Sequence, residues 1–103
     1  QTKILSDLRN RYQSVTISDK GKVFNTELLE AIELEYLLDM SDTTVASALE
    51  RKESRGAHSR VDHIERDDTN WLKHSFAFKN GDTVKLEYKD VELGNYEPKE
   101  RKY

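Results

Sequence analysis

The sequence has no cysteine, a single proline and four glycines among its 103 residues. The absence of cysteine excludes disulfides, thiolate chemistry and zinc–thiolate sites, and it fits a reducing compartment. No apolar run approaches the length of a membrane-spanning helix, so we expect no direct membrane insertion. No phosphate-cradling loop of the Gly-x-Gly-x-x-Gly type is present. These absences leave a chain whose properties depend on its charged and apolar side chains.

Charged residues are unusually frequent in this chain. They make up 36% of the sequence, against about 25% in typical proteins. Hydrophobic residues make up 35%, so we expect only a modest core. The 17 basic and 20 acidic residues give a net charge of −3, which offers no electrostatic reason to expect nucleic acid as a partner.

The pattern of apolar residues predicts a single domain over 1–103 that is mostly α with a small β-hairpin. We predict a helical hairpin over 1–55, a charged loop over 56–73, and a β-hairpin with an extended tail over 74–103. An apolar helix face begins with the first residues of the chain, and no capping side chain precedes it apart from Thr2. We therefore expect the chain to be an excised piece of a longer protein.

Two helices are predicted in the first half of the chain. The first covers residues 3–15. The second begins after Asn25, a favourable N-cap, and is predicted to run to about Ser54, with Gly56 as a C-cap glycine. This second helix is apolar on more than one side, which is typical of a helix buried between neighbours. We therefore expect the isolated chain to self-associate through an uncovered stripe formed by Leu34, Leu37, Leu38, Val45 and Leu49.

In the last third of the chain, apolar residues alternate along two runs, which predicts a β-hairpin. A two-residue Asn80–Gly81 loop would place Phe76 opposite Lys85. A three-residue loop that ends on Gly81 at positive φ would place Phe76 opposite Val84. We favour the second register because it puts all the even-numbered apolar residues on one face: Phe76, Phe78, Val84, Leu86 and Tyr88.

The middle of the chain carries a dense mixture of opposite charges, together with all three histidines and the one tryptophan. Arginine can pair with a carboxylate through two parallel hydrogen bonds and so fix a loop that has little apolar core. We interpret the block as a loop pinned by such pairs, with Trp71 as its apolar anchor. A plain solvated charged face is the alternative. The structural or docking candidates are Glu53, Arg55, Gly56, His58, Arg60, Asp62, Arg66, Asp67, Asp68, Trp71 and His74.

Other chemistry can be considered for the same block. His58, His63 and His74 are possible metal ligands, but their spacing does not match a zinc motif. A carboxylate beside His58 is an acid–base pair that any charged loop would offer. Ser54 lacks the glycine elbow expected around a nucleophile. We therefore assign no catalytic, cofactor-binding or metal-binding residue to this chain.

A resemblance to a known family is carried by this block and by segments on both sides of it. The matching residues are Arg51–Arg60 with its Glu-Ser-Arg-Gly-Ala-His core, Asp62, Arg66–Asp68, Asn70–Ser75, Phe24–Leu28, Glu33–Leu34 and Pro98–Tyr103. Through them the chain resembles the C-terminal domain of the flavoprotein subunit of succinate dehydrogenase and fumarate reductase. L-aspartate oxidase has a similar Glu-Ser-Arg-Gly element, but Ala57 and the Arg66–Asp68 extension favour the first family.

The resemblance implies an FAD enzyme that interconverts succinate and fumarate and passes electrons to an iron–sulfur subunit. It places the flavin and the dicarboxylate in upstream domains, so this domain would dock on the flavin domain and help to seat the iron–sulfur subunit. It also implies a spectrin-repeat-like three-helix bundle whose first helix precedes Gln1. The location would be the cytoplasm, or the cytoplasmic face of the inner membrane. A free-standing helical interaction module is the alternative from another class.

Overall fold

The computed structural model describes residues 2–99. Helix α1 covers Thr2–Tyr12, helix α2 covers Thr26–Glu50, and an antiparallel hairpin joins strand β1, Lys73–Asn80, to strand β2, Thr83–Asp90. The predicted architecture, mostly α with a small β-hairpin, is confirmed. Within residues 2–99, neither helix has both the length and the apolar character that a membrane crossing requires. The last four residues of the predicted extended tail lie outside the described residues.

Contacts divide the chain into two compact units, Gln1–Ala46 and Ser47–Tyr103. In the first unit, α2 begins where the sequence predicts. The Asn25 side-chain oxygen accepts a hydrogen bond from the Leu28 amide at 3.0 Å, which is the contact of an N-cap. The Asn25 side-chain nitrogen donates to the carbonyls of Asp19 and Gly21, so the same residue also fixes the preceding loop.

Long side chains join the two helices within this first unit. The Tyr12 hydroxyl donates to the Ala31 carbonyl at 2.9 Å, and the Arg9 guanidinium pairs with Asp39 and Asp42 at 3.0 and 2.5 Å. Helix α1 ends at Tyr12, three residues before the predicted end. Among residues 2–99, Leu38 is the one buried apolar side chain, with 7% of its surface exposed.

The apolar surface of α2 is therefore largely uncovered within the described chain. An open groove of about 250 Å³ runs along one side, lined by Leu8, Arg11, Tyr12, Val15, Leu34 and Leu38. On the opposite side, a second stripe at helical spacing is 40–64% exposed and consists of Leu29, Ile32, Tyr36 and Met40. In the stripe predicted to stay uncovered, Leu34, Leu37 and Leu49 are exposed and Val45 is half-buried, but Leu38 is buried, so its inclusion was wrong.

In the second unit, the end of α2 differs from the prediction. The helix ends at Glu50 instead of Ser54, and Arg60 caps it by donating to the carbonyls of Leu49 and Arg51 at 2.7 and 3.0 Å. Gly56 is not the C-cap. It has φ +58° in a tight turn, which two reciprocal backbone hydrogen bonds between Arg55 and His58 close.

The register predicted for the hairpin is wrong. Asn80 pairs with Thr83, so the loop is Gly81–Asp82 and Phe76 lies opposite Glu87. Gly81 has φ +61°, as predicted, but at the first position of a two-residue loop, which glycine favours in type II′ turns. The turn therefore fixes the register, at the expense of a continuous apolar face. As a result, Phe76 and Phe78 lie on the exposed face, away from the half-buried residues Ala77, Val84 and Leu86.

Replacing Gly81 by alanine should destabilise the hairpin by about 1–2 kcal/mol, the usual cost of a left-handed conformation in a residue with a Cβ. The cost is conformational, because an added Cβ would meet no atom within 4 Å. Asp82→Ala is the matched control, since Asp82 lies in the same loop without a positive φ. Urea unfolding followed by Trp71 fluorescence would measure both changes, and equal losses would contradict the observed turn.

Candidate functional site

The second unit is organised around the carboxylate of Glu53, whose side chain is 0% exposed and is the one fully buried side chain among residues 2–99. Each of its oxygens accepts two hydrogen bonds. Oε1 accepts from Arg51 Nη1 at 2.6 Å and from Arg55 Nε at 2.8 Å. Oε2 accepts from Arg55 Nη2 at 3.1 Å and from the Asp67 amide at 2.8 Å. The buried charge is thus fully compensated by two guanidinium groups and one backbone amide.

This environment determines the ionisation of Glu53. Burial alone would raise the pKa of the carboxyl, because a charged group loses its hydration. The hydrogen bonds from Arg55, from the Asp67 amide and from Arg51 outweigh burial, and the pKa lies below its ordinary value. The same contact with Glu53 raises the pKa of Arg55. Glu53 is therefore an ionised structural group, enclosed by its own partners.

Arg51 links this carboxylate to the start of the hairpin. Its guanidinium donates to the Trp71 carbonyl at 2.8 Å, to the Lys73 carbonyl at 2.8 Å and to the Ser75 hydroxyl at 3.0 Å. It also lies 5.1 Å from the centre of the Trp71 ring, at a cation–π distance. One side chain from just beyond α2 thereby fixes the position at which β1 begins.

Arg55 extends the network in the other direction. Its Nη2 donates to Asp68 Oδ1 at 2.6 Å, and Asp68 Oδ2 accepts from Arg66 Nη2 at 2.8 Å. Arg66 then donates to the Lys99 carbonyl at 3.1 Å. The hydrogen bond from Arg55 lowers the pKa of Asp68 against the opposing effect of desolvation. Alternating charges thus run from Glu53 through Arg55 and Asp68 to Arg66, which is hydrogen-bonded to the backbone of the last described residue.

Two further carboxylates hold the loop itself. The Arg60 guanidinium donates from Nε to Asp62 Oδ1 at 2.9 Å and from Nη2 to Asp62 Oδ2 at 2.6 Å. This contact lowers the pKa of Asp62. Asp67 accepts from the amides of Thr69 and Asn70 and from the Asn70 side chain, which lowers the pKa of Asp67. Asp62 therefore orients the arginine that caps α2, and Asp67 shapes the turn that leads into β1.

Trp71 lies among cations and one other aromatic ring. Its ring meets Tyr88 edge to face, with 5.6 Å between centroids. The Lys73 ammonium lies 4.5 Å from the Trp71 ring and 4.4 Å from the Tyr88 ring. The predicted anchor thus combines apolar contact with cation–π contact, which is suited to a small domain that has few aliphatic side chains to bury.

The three histidines that were considered as metal ligands lie apart from one another. His58 Nε2 lies 3.4 Å from the Arg51 carbonyl, and His63 Nε2 lies 3.8 Å from Asp62. His74 lies on the exposed face of β1. Within residues 2–99, no three histidine, aspartate or glutamate side chains are grouped so that they could hold a metal ion.

Arg51 and Ser54 belong to the site, but neither is among the candidate residues predicted from the sequence. The Ser54 hydroxyl donates to the His63 carbonyl at 2.7 Å and accepts from the Arg60 amide at 2.9 Å. The Ser54 amide donates to the backbone carbonyl of Glu65. Arg51 could have been found from the sequence, because it lies two residues before Glu53, the carboxylate with which it pairs. Ser54 gave no signal, because its partners follow it by six to eleven residues in an irregular loop.

The geometry defines a structural module, in which hydrogen bonds from an ion-paired arginine join the end of a helix to a two-stranded sheet. The family described as "Fumarate reductase flavoprotein C-term" matches residues 1–103. The chain therefore belongs to this family of flavoprotein C-terminal domains.

Individual relatives agree with this assignment. The chain is 45% identical over 100 residues to the fumarate reductase flavoprotein subunit of Haemophilus influenzae, and 47% identical over 102 residues to that of Escherichia coli, covering 96% of this chain in each case. It is 43% identical over 91 residues, 87% of this chain, to the succinate dehydrogenase flavoprotein subunit of Rickettsia felis. The chain spans 17%, 17% and 15% of the lengths of these three relatives.

Replacing Glu53 by glutamine should destabilise the second unit strongly. The change keeps the shape of the side chain but leaves Arg51 without its charge partner and Arg55 with Asp68 alone. Breaking a buried pair costs about 3–5 kcal/mol, and the lower end applies here because Arg55 is 28% exposed. The control is Glu87→Gln in the exposed Lys85–Glu87 pair, where about 1 kcal/mol or less is expected. Urea unfolding measures both, and a neutral Glu53→Gln would contradict the role of Glu53.

The lowered pKa of Glu53 also predicts acid sensitivity. On acidification the unfolded chain binds a proton at this residue before the folded chain does, so the folded state loses stability. The contribution should be complete above about pH 4.3, the usual pKa of glutamate, and should fall as the pH drops through the lower folded value. Unfolding midpoints measured from neutral to acidic pH should show this loss in the wild type and a smaller loss in Glu53→Gln. Parallel curves would show that Glu53 does not contribute.

Proposed function

We propose that this chain is the C-terminal domain of a succinate dehydrogenase or fumarate reductase flavoprotein. The longer protein would interconvert succinate and fumarate at FAD and exchange electrons with an iron–sulfur subunit. The domain itself would dock on the flavin domain and help to seat the iron–sulfur subunit. The observation that carries the proposal is the Glu53 network, which holds a mixed-charge surface rigid in a chain of this family.

The flavin would be bound outside this chain. Cradling a dinucleotide phosphate requires several backbone amides close together, which a glycine-rich loop usually supplies. The four glycines here, Gly21, Gly56, Gly81 and Gly94, are widely separated along the sequence. The residues present therefore do not fit FAD, and none of them is assigned a catalytic step. The chemistry would belong to the remainder of the longer protein.

The charged block is suited to docking because its arginines are fixed before a partner arrives. Arg60 and Arg66 keep 18% and 20% of their side chains exposed while carboxylates hold them in place. A partner that contacts such groups orders few additional side chains, so it loses little conformational entropy on binding. Alternating charges also favour one orientation of the partner over others. The block would thus contribute specificity to an interface with the iron–sulfur subunit.

The uncovered surface of α2 supports a second contact. We propose that another helix of the longer protein fills the groove beside Leu34 and Leu38, which would complete the three-helix bundle. In the isolated chain a second copy would take its place, so self-association stays our prediction. We further propose that the complex works in the cytoplasm or at the cytoplasmic face of the inner membrane.

The test uses the longer flavoprotein together with its iron–sulfur subunit. Arg55→Gln would break the network between Glu53 and Asp68, and Glu87→Gln on the hairpin is the control for loss of an exposed charge. We expect Arg55→Gln to reduce copurification of the iron–sulfur subunit, with flavin content and dye-linked fumarate reduction retained. Glu87→Gln should change none of the three.

Two outcomes would contradict the proposed role. Undiminished copurification in a folded Arg55→Gln protein would show that the block does not seat the partner. Loss of flavin in parallel with loss of copurification would assign the block to the flavin site instead.

A further inference from the structure

The loop between the helices presents an unusual pair of apolar residues. Phe24 has φ +50°, and it is the one non-glycine residue with positive φ among residues 2–99. Its side chain is 96% exposed, and that of its neighbour Val23 is 77% exposed. A bulky residue rarely takes this backbone conformation, because its Cβ approaches the following carbonyl. Contacts within the described chain do not compensate for the strain, since almost none of the side chain is covered.

The strained conformation is nevertheless held firmly. The Phe24 carbonyl accepts from the Thr26 amide at 3.0 Å. Asn25, which caps α2, also donates to the carbonyls of Asp19 and Gly21. The Glu27 carboxylate accepts from the amides of Ser18 and Asp19 at 2.8 and 3.1 Å. The start of α2 thus imposes a fixed conformation on the loop, and the loop presents Phe24 to solvent in one position.

Strained residues that their surroundings hold in place cluster at sites that contact ligands or partners. We propose that Val23 and Phe24 form an apolar knob, which inserts into an apolar pocket in the remainder of the longer flavoprotein. Lys20 and Lys22 precede the knob in the same loop and are exposed, without an ion pair in the described part of the chain. The nearby carboxylates of Asp19 and Glu27 accept hydrogen bonds from backbone amides of the loop. The receiving pocket should therefore be apolar at its base and acidic at its rim.

The rest of the same polypeptide is the occupant that the observations favour. Five-sixths of the length of the relatives lies outside the region that this chain matches. A pocket on a linked segment is present at high effective concentration, so a small contact suffices to hold it. Two apolar side chains are too few for an independent interface, because stable interfaces bury about 1,200–2,000 Å². The inference rests on the proposed function in one respect, namely that the chain works within a longer flavoprotein.

Hydroxyl-radical footprinting of the longer flavoprotein tests the knob without any mutation. Oxidation of the Phe24 ring should be several-fold slower in the folded protein than in the same protein unfolded in urea. Oxidation of Phe24 at the unfolded rate would overturn the proposal, because it would show the ring free in solvent. This readout does not depend on the iron–sulfur subunit, so it can fail while the proposed function holds.

A pair of substitutions separates docking from a local role. Phe24→Asn keeps a residue that tolerates the left-handed conformation but removes the apolar knob. If the ring docks, this variant should lower the melting temperature of the longer flavoprotein, and Phe24→Leu should largely restore it. If the ring has no partner, Phe24→Asn should leave the melting temperature unchanged, or raise it because the strain is relieved. Either result would overturn the proposal. Tyr96→Asn, at a residue that is 83% exposed and lies outside the charged block, is the control for loss of an exposed large side chain.

Discussion

The buried carboxylate of Glu53 is the constraint on which the second unit depends. A charge removed from water is very unfavourable unless hydrogen bonds and opposite charges compensate for it. Arg51, Arg55 and the Asp67 amide provide that compensation, and each belongs to a different part of the unit. Arg51 comes from the end of α2, Arg55 from the tight turn, and Asp67 from the approach to β1. Satisfying one carboxylate therefore brings three segments together.

This way of building a unit explains the composition of the chain. With Leu38 the one buried apolar side chain among residues 2–99, burial of aliphatic groups contributes little to the structure that these residues form. In the second unit, ion pairs and hydrogen bonds from arginine side chains to backbone carbonyls supply part of the stabilisation instead. Most of the apolar residues remain exposed, especially along α2, which is the expected condition of a domain that covers them with other parts of a larger protein. The small number of buried apolar side chains among residues 2–99 thus connects the fold with the proposed docking role.

The sequence predicts features that depend on neighbouring residues. Asn25 caps α2 because its side chain reaches an amide three residues away, and Gly81 has positive φ because the loop requires it. The pairing of Arg55 and Arg60 with carboxylates follows from the abundance of acidic residues in the same segment, and both arginines make such pairs. Whether the candidate residues act in docking stays a prediction.

Features that depend on distant partners could not be predicted in this way. Helix α2 ends at Glu50, where Arg60, ten residues later, binds the carbonyl of Leu49 in the last turn and that of Arg51 just beyond it. Gly56 resembles a C-cap in sequence, but it belongs to a turn that exists only when the loop folds back. In the hairpin, matching apolar residues across the strands gave the wrong register, because the two-residue turn at Gly81 decided the pairing. Nor does the sequence distinguish Glu53 from the other acidic residues around it, since its burial depends on where the loop returns.

A double-mutant cycle between Glu53 and Arg55 measures the central interaction most directly. Urea unfolding of the wild type, Glu53→Gln, Arg55→Gln and the double variant gives the coupling free energy between the two side chains. If the Glu53 carboxylate organises the unit, the coupling should be about 1.5–3 kcal/mol, near the upper end of the range for groups in one network. A coupling within about 0.5 kcal/mol of zero, the additivity expected of independent sites, would contradict the account.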